Sequence, residues 1–487
     1  MSSLKKLASE TAIYGITHTV GRLLNFLLVP IYTTLFAPEE YGVINVLYSV
    51  VAFAIVLLLY GMETAFFNYS RKSEPLRVFS TAQISVTISS VVFILLGYSY
   101  AQNIANFLEY PDYVELVRIF VFILAIDALS ALPLALLRQQ NRPLRFGWVR
   151  LTNIALNIGF NLFFLLLVPY LIKQGYNFSW FDPEFGIGYI VVSNLIASVA
   201  MFVLLLPQWK NVRAGFDTGL WKQMIGYAYP LIFVGLAGIV NETLDRVLLR
   251  KLLPESTAEF DVGVYSAFYK LSIIMTLFVQ AFRFGAEPFF FRKSDDGDAR
   301  ETYAKVMHYF VIVTSFIFLM TCVFVELIAP FLVVREEYYT HPDGMRIVPI
   351  LLLANLFLGI LFNLNFWYKL SHKTHIGMWV SIGGALVTIL LNYLLIPRMG
   401  IVASAITTLV VYASMSVASF SLGRKYYPIP YKLKPILFYL TFSTALVAAV
   451  YKLSDTVEQI HSFAFGGMAV ILFILAFWYM ERPLKKM

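Results

Sequence analysis

Arg22 stands near the middle of an apolar run, residues 12–36, that is long enough to cross a bilayer. An arginine at that depth costs about 2.5–3.5 kcal/mol on insertion scales, so it faces a polar interior or a partner rather than lipid. Its guanidinium carries a permanent charge and forked donors suited to phosphate or carboxylate oxygens. Thr11, Gly15, His18, Arg22 and Asn25 recur at spacings of three and four and form one polar stripe on a helix. A second run carries Asn241, Glu242, Asp245, Arg246 and Arg250, and the run after it carries Lys270. Such cations point to non-covalent chemistry, the binding and release of an anion. The carboxylates of Glu63, Asp127, Glu242 and Asp245 have two readings. They are salt-bridge partners, Glu63 for Arg22 and Glu242 for Arg246 four residues on, or they carry a coupling ion, H+ or Na+. Arg250 reads either as a cavity cation or as a side chain reaching for the interface.

The elements that must position these residues are membrane helices. Of 487 residues, 59% are hydrophobic and 14% charged, against about 25% charged in an ordinary soluble protein. Mean hydropathy is +0.73. The apolar residues fall in repeated runs of about 20, without the alternation of barrel strands. A window along the chain predicts fourteen spans. Their limits are 12–36, 42–67, 79–100, 114–136, 149–171, 185–206, 226–252, 262–282, 305–328, 346–368, 376–396, 401–422, 436–451 and 462–480. The expected fold is an all-α polytopic membrane protein. Two six-helix lobes, residues 1–210 and 211–425, are followed by two extra helices in 426–487.

Loop charge alternates. Basic loops hold Arg71, Lys72 and Arg77; Arg138, Arg142 and Arg145; Lys210, Arg213 and Lys222; and so on to Arg482, Lys485 and Lys486. Acidic loops hold Glu39 and Glu40, Glu109 to Asp112, Asp182 to Glu184, and Glu255 to Asp261. The positive-inside rule then places both termini in the cytoplasm, as an even span number requires. The basic loops orient the helices and touch anionic lipid headgroups; the net charge of +8 is not read as nucleic-acid binding. The first run is expected to stay as a helix rather than to be cleaved as a leader.

Two stretches echo each other. One runs Arg22, Pro30, Phe36, Pro38, Glu39, Glu40, Tyr41, Gly42, Val43; the other runs Asp245, Arg246, Leu252, Pro254, Glu255, Asp261, Val262, Gly263, Val264. Each is an arginine-bearing span, a Pro-Glu loop and an acid-x-Gly-Val start to the next span. Equal orientation implies parallel repeats, which place a substrate site between the halves.

The opening, Tyr14-Gly15, Arg22, Pro30-Ile31-Tyr32-Thr33 and Pro38-Glu39-Glu40-Tyr41-Gly42, resembles the N-terminal signature of bacterial polysaccharide transporters of the MOP superfamily. Gly61-Met62-Glu63-Thr64-Ala65 and the Asp245-Arg246 to Gly263-Val264-Tyr265 stretch are also similar to that family. The resemblance extends over length, span number and termini. It implies a flippase that carries an undecaprenyl-diphosphate-linked oligosaccharide from the cytoplasmic to the periplasmic leaflet of the bacterial inner membrane, for surface polysaccharide such as O-antigen. Arg22, His18, Asn25, Arg246, Arg250 and Lys270 would then meet the diphosphate headgroup in a cationic cavity.

Two other readings compete. A drug or cation antiporter of the same superfamily would need a cavity dominated by carboxylates. A membrane glycan polymerase or ligase would need a sizeable external loop with catalytic residues. The sequence offers no catalytic constellation, no phosphate-cradling glycine loop and no histidine grouping for a metal. The acidic cluster Asp295, Asp296 and Asp298 reads as a solvated turn, and the single Cys322 as core packing. Neither a cofactor nor a metal is expected.

Overall fold

Proline opens several helices of this chain. Pro38, Pro75 and Pro143 stand at the first helical position, where the missing N–H is no loss and φ is already helical. The Ala37 N–H donates to the Glu40 carboxylate at 3.1 Å. Asp217 accepts the Leu220 N–H at 3.0 Å just ahead of Thr218. Each contact satisfies a donor that a helix N-terminus leaves open.

The computed structural model describes residues 26–70, 73–212, 215–293, 297–371, 373–454 and 459–481. Among them the regular structure is helical, with no strand, and thirteen helices are long and apolar enough to cross a membrane. They are Pro38–Tyr69, Pro75–Ser99, Pro111–Gln139, Pro143–Lys173, Gly188–Trp209, Thr218–Leu252, Glu255–Arg283, Ala299–Val323, Ile347–Tyr368, Thr374–Met399, Ile401–Tyr426, Leu433–Leu453 and Ala464–Glu481. We number them spans two to fourteen. Span one lies mostly outside the described residues, apart from residues 26–36 and their short helix Val29–Leu35. The all-α polytopic architecture is thus as expected.

The chain forms two compact units, Met1–Ser266 and Ala267–Met487. In the first, span four packs on spans three and six, and spans two and seven pack together. Met62, Phe66, Phe79, Leu132 and Met224 meet in its core. In the second, span twelve lies between spans ten and eleven, and span nine packs on spans thirteen and ten. Cys322 is buried there.

Three local breaks interrupt these helices. Tyr60 and Gly61 adopt left-handed φ values of 34° and 75° and divide span two into Pro38–Leu59 and Met62–Tyr69. A Cβ on Gly61 would lie 2.9 Å from the Ala228 carbonyl oxygen, so both the backbone angle and the close approach call for glycine. Span five loosens into a π segment, Phe163–Leu167, just before Pro169 withdraws a backbone donor. Span eight tightens into a 3-10 turn at Lys270–Ser272. Pro133 and Pro230 lie inside continuous helices. Proline removes one rung of the ladder but keeps a helical φ, whereas consecutive left-handed residues end the helix outright.

Candidate transport site

In the first unit, the acidic loops come together at one end and the basic loops at the other. At the acidic end the two copies of the echoed motif touch. A Cβ on Gly42 would lie 2.6 Å from the Glu259 carbonyl oxygen and 3.0 Å from the Gly263 nitrogen. A Cβ on Gly263 would collide with the Pro38 carbonyl. Backbone therefore meets backbone where spans two and eight begin, and only a residue without a side chain fits on either side of the contact. The sequence showed the echo; the fold supplies its reason, because the glycines allow these two helix starts to pack.

Span seven ends in the same region. Asp245, Arg246 and Arg250 are all buried, at 5%, 6% and 4% exposure, on a face that a charge occupies only with partners. Arg246 Nη1 donates to Asp245 Oδ1 at 3.0 Å and to the Glu242 carbonyl at 3.3 Å. The Tyr265 hydroxyl of span eight donates to the other Asp245 oxygen, and its ring lies 5.8 Å from the guanidinium. Arg246 thus has its neighbour Asp245 as carboxylate partner. The Glu242 side chain is exposed and its contribution is a backbone carbonyl.

Arg250 is not at a free interface. It faces the Glu259 carboxylate at 3.3 Å, the Glu109 carbonyl at 2.9 Å and the Glu109 carboxylate at 3.5 Å, with the Tyr110 ring 4.9 Å away. Lys251 donates to the Phe107 carbonyl at 2.6 Å. Residues 107–110 between spans three and four are thereby hooked onto the end of span seven, and Glu259 ties in the start of span eight. Burial raises the Tyr110 hydroxyl pKa above its ordinary value, more than Arg250 lowers it, so the clamp holds a neutral phenol beside the cation.

Other charges gather deeper and toward the basic end. Glu63 pairs with Arg138 of span four at 2.9 Å; Arg22, its expected partner, lies outside the described residues, as do His18 and Asn25. The Phe67 ring lies 5.0 Å from Arg138. Asp127 of span four lies near Ser198 of span six and within the field of Arg150 of span five. Its Oδ1 is buried with no hydrogen-bond partner among the described residues. Asn161 accepts from the Tyr32 hydroxyl at 2.9 Å and donates back to Asn157, so it joins span one to span five. Lys270 occupies the 3-10 turn of span eight, half-buried. In the second unit that turn is held by Asn355, whose amide donates to Ser272 Oγ at 3.0 Å.

Arg150 escaped the sequence reading. It follows a basic loop closely and is itself exposed, and only the nearby charges of Asp127 and Glu63 link it to this group. The carboxylates Glu109 and Glu259 were seen as loop charge alone. Among the described residues, no three of His, Cys, Asp and Glu gather as metal ligands.

This geometry has known counterparts. A lipid II flippase, MurJ, in an inward closed conformation superposes with a TM-score of 0.72 at 15% identity, over 96% of this chain and 99% of that one. An inward-facing multidrug resistance MATE family transporter of the MOP superfamily gives 0.65 at 13% identity, over 83% and 94%. A Vibrio cholerae MATE transporter, VcmN in the bent form, gives 0.55 at 15%, over 91% and 98%. No curated protein matches the chain. The fold is that of the MOP superfamily of membrane transporters. A family model described as polysaccharide biosynthesis protein matches residues 7–292, and a MatE model matches residues 230–394. The first spans more than half of the sequence, and the chain belongs to that polysaccharide biosynthesis family.

Proposed function

We propose that this transporter flips an undecaprenyl-diphosphate-linked oligosaccharide from the cytoplasmic to the periplasmic leaflet, for surface polysaccharide such as O-antigen. The observation that carries this reading is the buried arginine-bearing face of span seven in a chain of the polysaccharide family. Arg246 and Arg250 are each neutralised by a carboxylate at rest, which lowers their cost in the membrane. A diphosphate competes for the same guanidinium forks. His18, Arg22, Asn25 and Lys270 complete the proposed headgroup cavity, while the polyprenyl tail stays in lipid. Lobes 1–210 and 211–425 are the proposed moving bodies of alternating access. Contact of Gly42 with residues 259–263 then corresponds to closure at the periplasmic end. Residues 426–487 add two helices outside that repeat. The inside-negative potential favours expulsion of an anion by about 2.3 kcal/mol per charge per 100 mV, and Glu63, Asp127, Glu242 or Asp245 would carry H+ or Na+ in an ion-coupled cycle.

A drug or cation antiporter is the second reading. The partnerless Asp127 oxygen and the MatE match over residues 230–394 favour it. Deleting the gene separates the two. The flippase reading expects lipid-linked oligosaccharide to accumulate on the cytoplasmic side, with rescue by the wild type and by Arg22→Lys in part, and none by Arg22→Ala. Unchanged surface glycan together with lost cation efflux would replace it with the antiporter. Full rescue by Arg22→Ala would remove Arg22 from the headgroup site.

A further inference from the structure

Glu109 holds a backbone conformation that suits glycine. Its φ is 64°, in the left-handed region that a residue with a side chain enters at a cost. The short helix Ala101–Phe107 ends there. The Glu109 N–H donates to the Asn106 carbonyl at 3.0 Å, and the Tyr110 N–H to the Ala105 carbonyl at 2.9 Å. In a helix ending of this pattern the left-handed position is usually glycine. Among the described residues, three other than glycine have such a φ. Asn141 is of a type that tolerates it, and Tyr60 stands at the break in span two. For Glu109 the turn gives no reason for a glutamate, and the reason lies in what faces it. Arg250 Nη2 donates to the Glu109 carbonyl and to Glu259 Oε1, and the Glu109 carboxylate lies 3.5 Å from Nη1. Backbone strain persists where the surroundings fix it, and it clusters at sites that move or bind. A glycine at position 109 would form the turn without strain and leave Arg250 one carboxylate fewer.

The clamp joins the two proposed moving bodies, since Glu109 belongs to 1–210 and Arg250 and Glu259 to 211–425. It is also continuous with the glycine contact. Glu259 faces Arg250 with its carboxylate, and its carbonyl oxygen is the atom that a Cβ on Gly42 would strike. Yet the clamp is incompletely satisfied. Arg250 is 4% exposed, and its Nε and Nη1 have no hydrogen-bond partner among the described residues. A buried donor left without a partner is costly. The Glu109 and Glu259 side chains are 43% and 38% exposed, so water replaces the arginine on them when the clamp parts. We propose that Glu109, together with Glu259, locks the periplasmic gate through Arg250, and that the strained turn and the unfilled donors keep this lock weak enough to release in each cycle. The inference rests on the alternating-access reading and is independent of which cargo the protein carries.

The test uses the full chain in nanodiscs free of polyprenyl lipid. Cys322→Ala removes the single cysteine. Nitroxide labels on Asp112→Cys and Glu255→Cys, both exposed positions, then report the distance across the gate by double electron–electron resonance. The otherwise unaltered chain is expected to be mainly closed. Glu109→Gln and Glu259→Gln are each expected to shift the ratio of open to closed about fivefold toward open, and the double variant further. Glu109→Gly is expected to open the gate as Glu109→Ala does but to melt above it, because glycine alone is unstrained at this φ. An unchanged distance distribution in the double variant overturns the lock. So does a lowered melting temperature with no change in distance, the result of a purely structural clamp. A mainly open chain before substitution overturns it as well. Glu109→Ala melting at or above Glu109→Gly overturns the role of strain. If the double variant does not fold, Glu109→Gly alone decides. No cargo enters these measurements, so a failed lock is seen in the distances and a failed flippase reading in the glycan of the deletion strain.

Discussion

At the residue scale, the buried arginines of span seven and the carboxylate of Glu63 are accounted for by what they touch. Arg246 has Asp245, Arg250 has Glu109 and Glu259, and Glu63 has Arg138. A guanidinium stripped of water needs such partners, and removing one partner costs far more than the pair is worth. The same logic at the basic end concerns Asp217. The Leu220 N–H, and then Arg77 at 2.7 Å, hold its carboxyl below the ordinary carboxylate range. A lowered folded value means a contribution that is present above the unfolded pKa of about 3.9 and lost as pH falls through the lower folded value. Asp217→Ala is therefore expected to melt below the wild type at neutral pH, with the gap closing as the medium is acidified below about pH 4. Melting curves in detergent across that range check this; a gap of constant size would show that the cap, not the charge, is responsible.

At the element scale, the opening turns of span two and the second and third turns of span eight are matched by shape rather than by charge. Pro38 and Gly263, and Gly42 and Glu259, meet through backbone atoms. A valine at either glycine forces the helices apart, and overpacking of that sort costs about 1–3 kcal/mol. Gly263→Val is expected to lower the melting temperature and to abolish transport, whereas Gly238→Val, where a Cβ meets nothing within 4 Å, leaves stability nearly unchanged. Equal melting of the two variants would show that the close approach is dispensable. The glycine of each repeat was legible in the sequence as part of an echo. Its role was not, because a one-dimensional motif names a residue without naming the backbone it must approach. The break at Tyr60 and Gly61 was likewise hidden. A lone glycine in an apolar run is common in membrane helices, and only the Ala228 contact makes this one a hinge in span two.

At the scale of the whole molecule, the chain is a polytopic transporter. In the first unit, residues 107–110, 250–259 and 38–42 come together at one end, and residues 63–69, 77, 138 and 217–223 lie toward the other. Reporter fusions test the orientation proposed from that segregation. A phosphatase active only in the periplasm is expected to be active when fused after Asp112 or Glu184 and inactive after Asn141 or at the C-terminus. Activity at the C-terminus would invert the proposed topology.

The sequence by itself determined the membrane class, the approximate spans and the alternation of loop charge. These are local properties: twenty apolar residues span a bilayer wherever they stand, and a loop's lysines act through their distance from the nearest helix end. Tertiary structure alone decided which charges meet. Glu63 and Arg138 are 75 residues apart, and Arg250 and the Glu109 carbonyl 141, so no helical period relates them. Spacing favoured Glu242 for Arg246, since neighbours in sequence diverge around a helix. The fold brought Tyr265 against Asp245 and made the adjacent carboxylate the partner, because a long side chain pairs with whatever acceptor packing fixes within its reach.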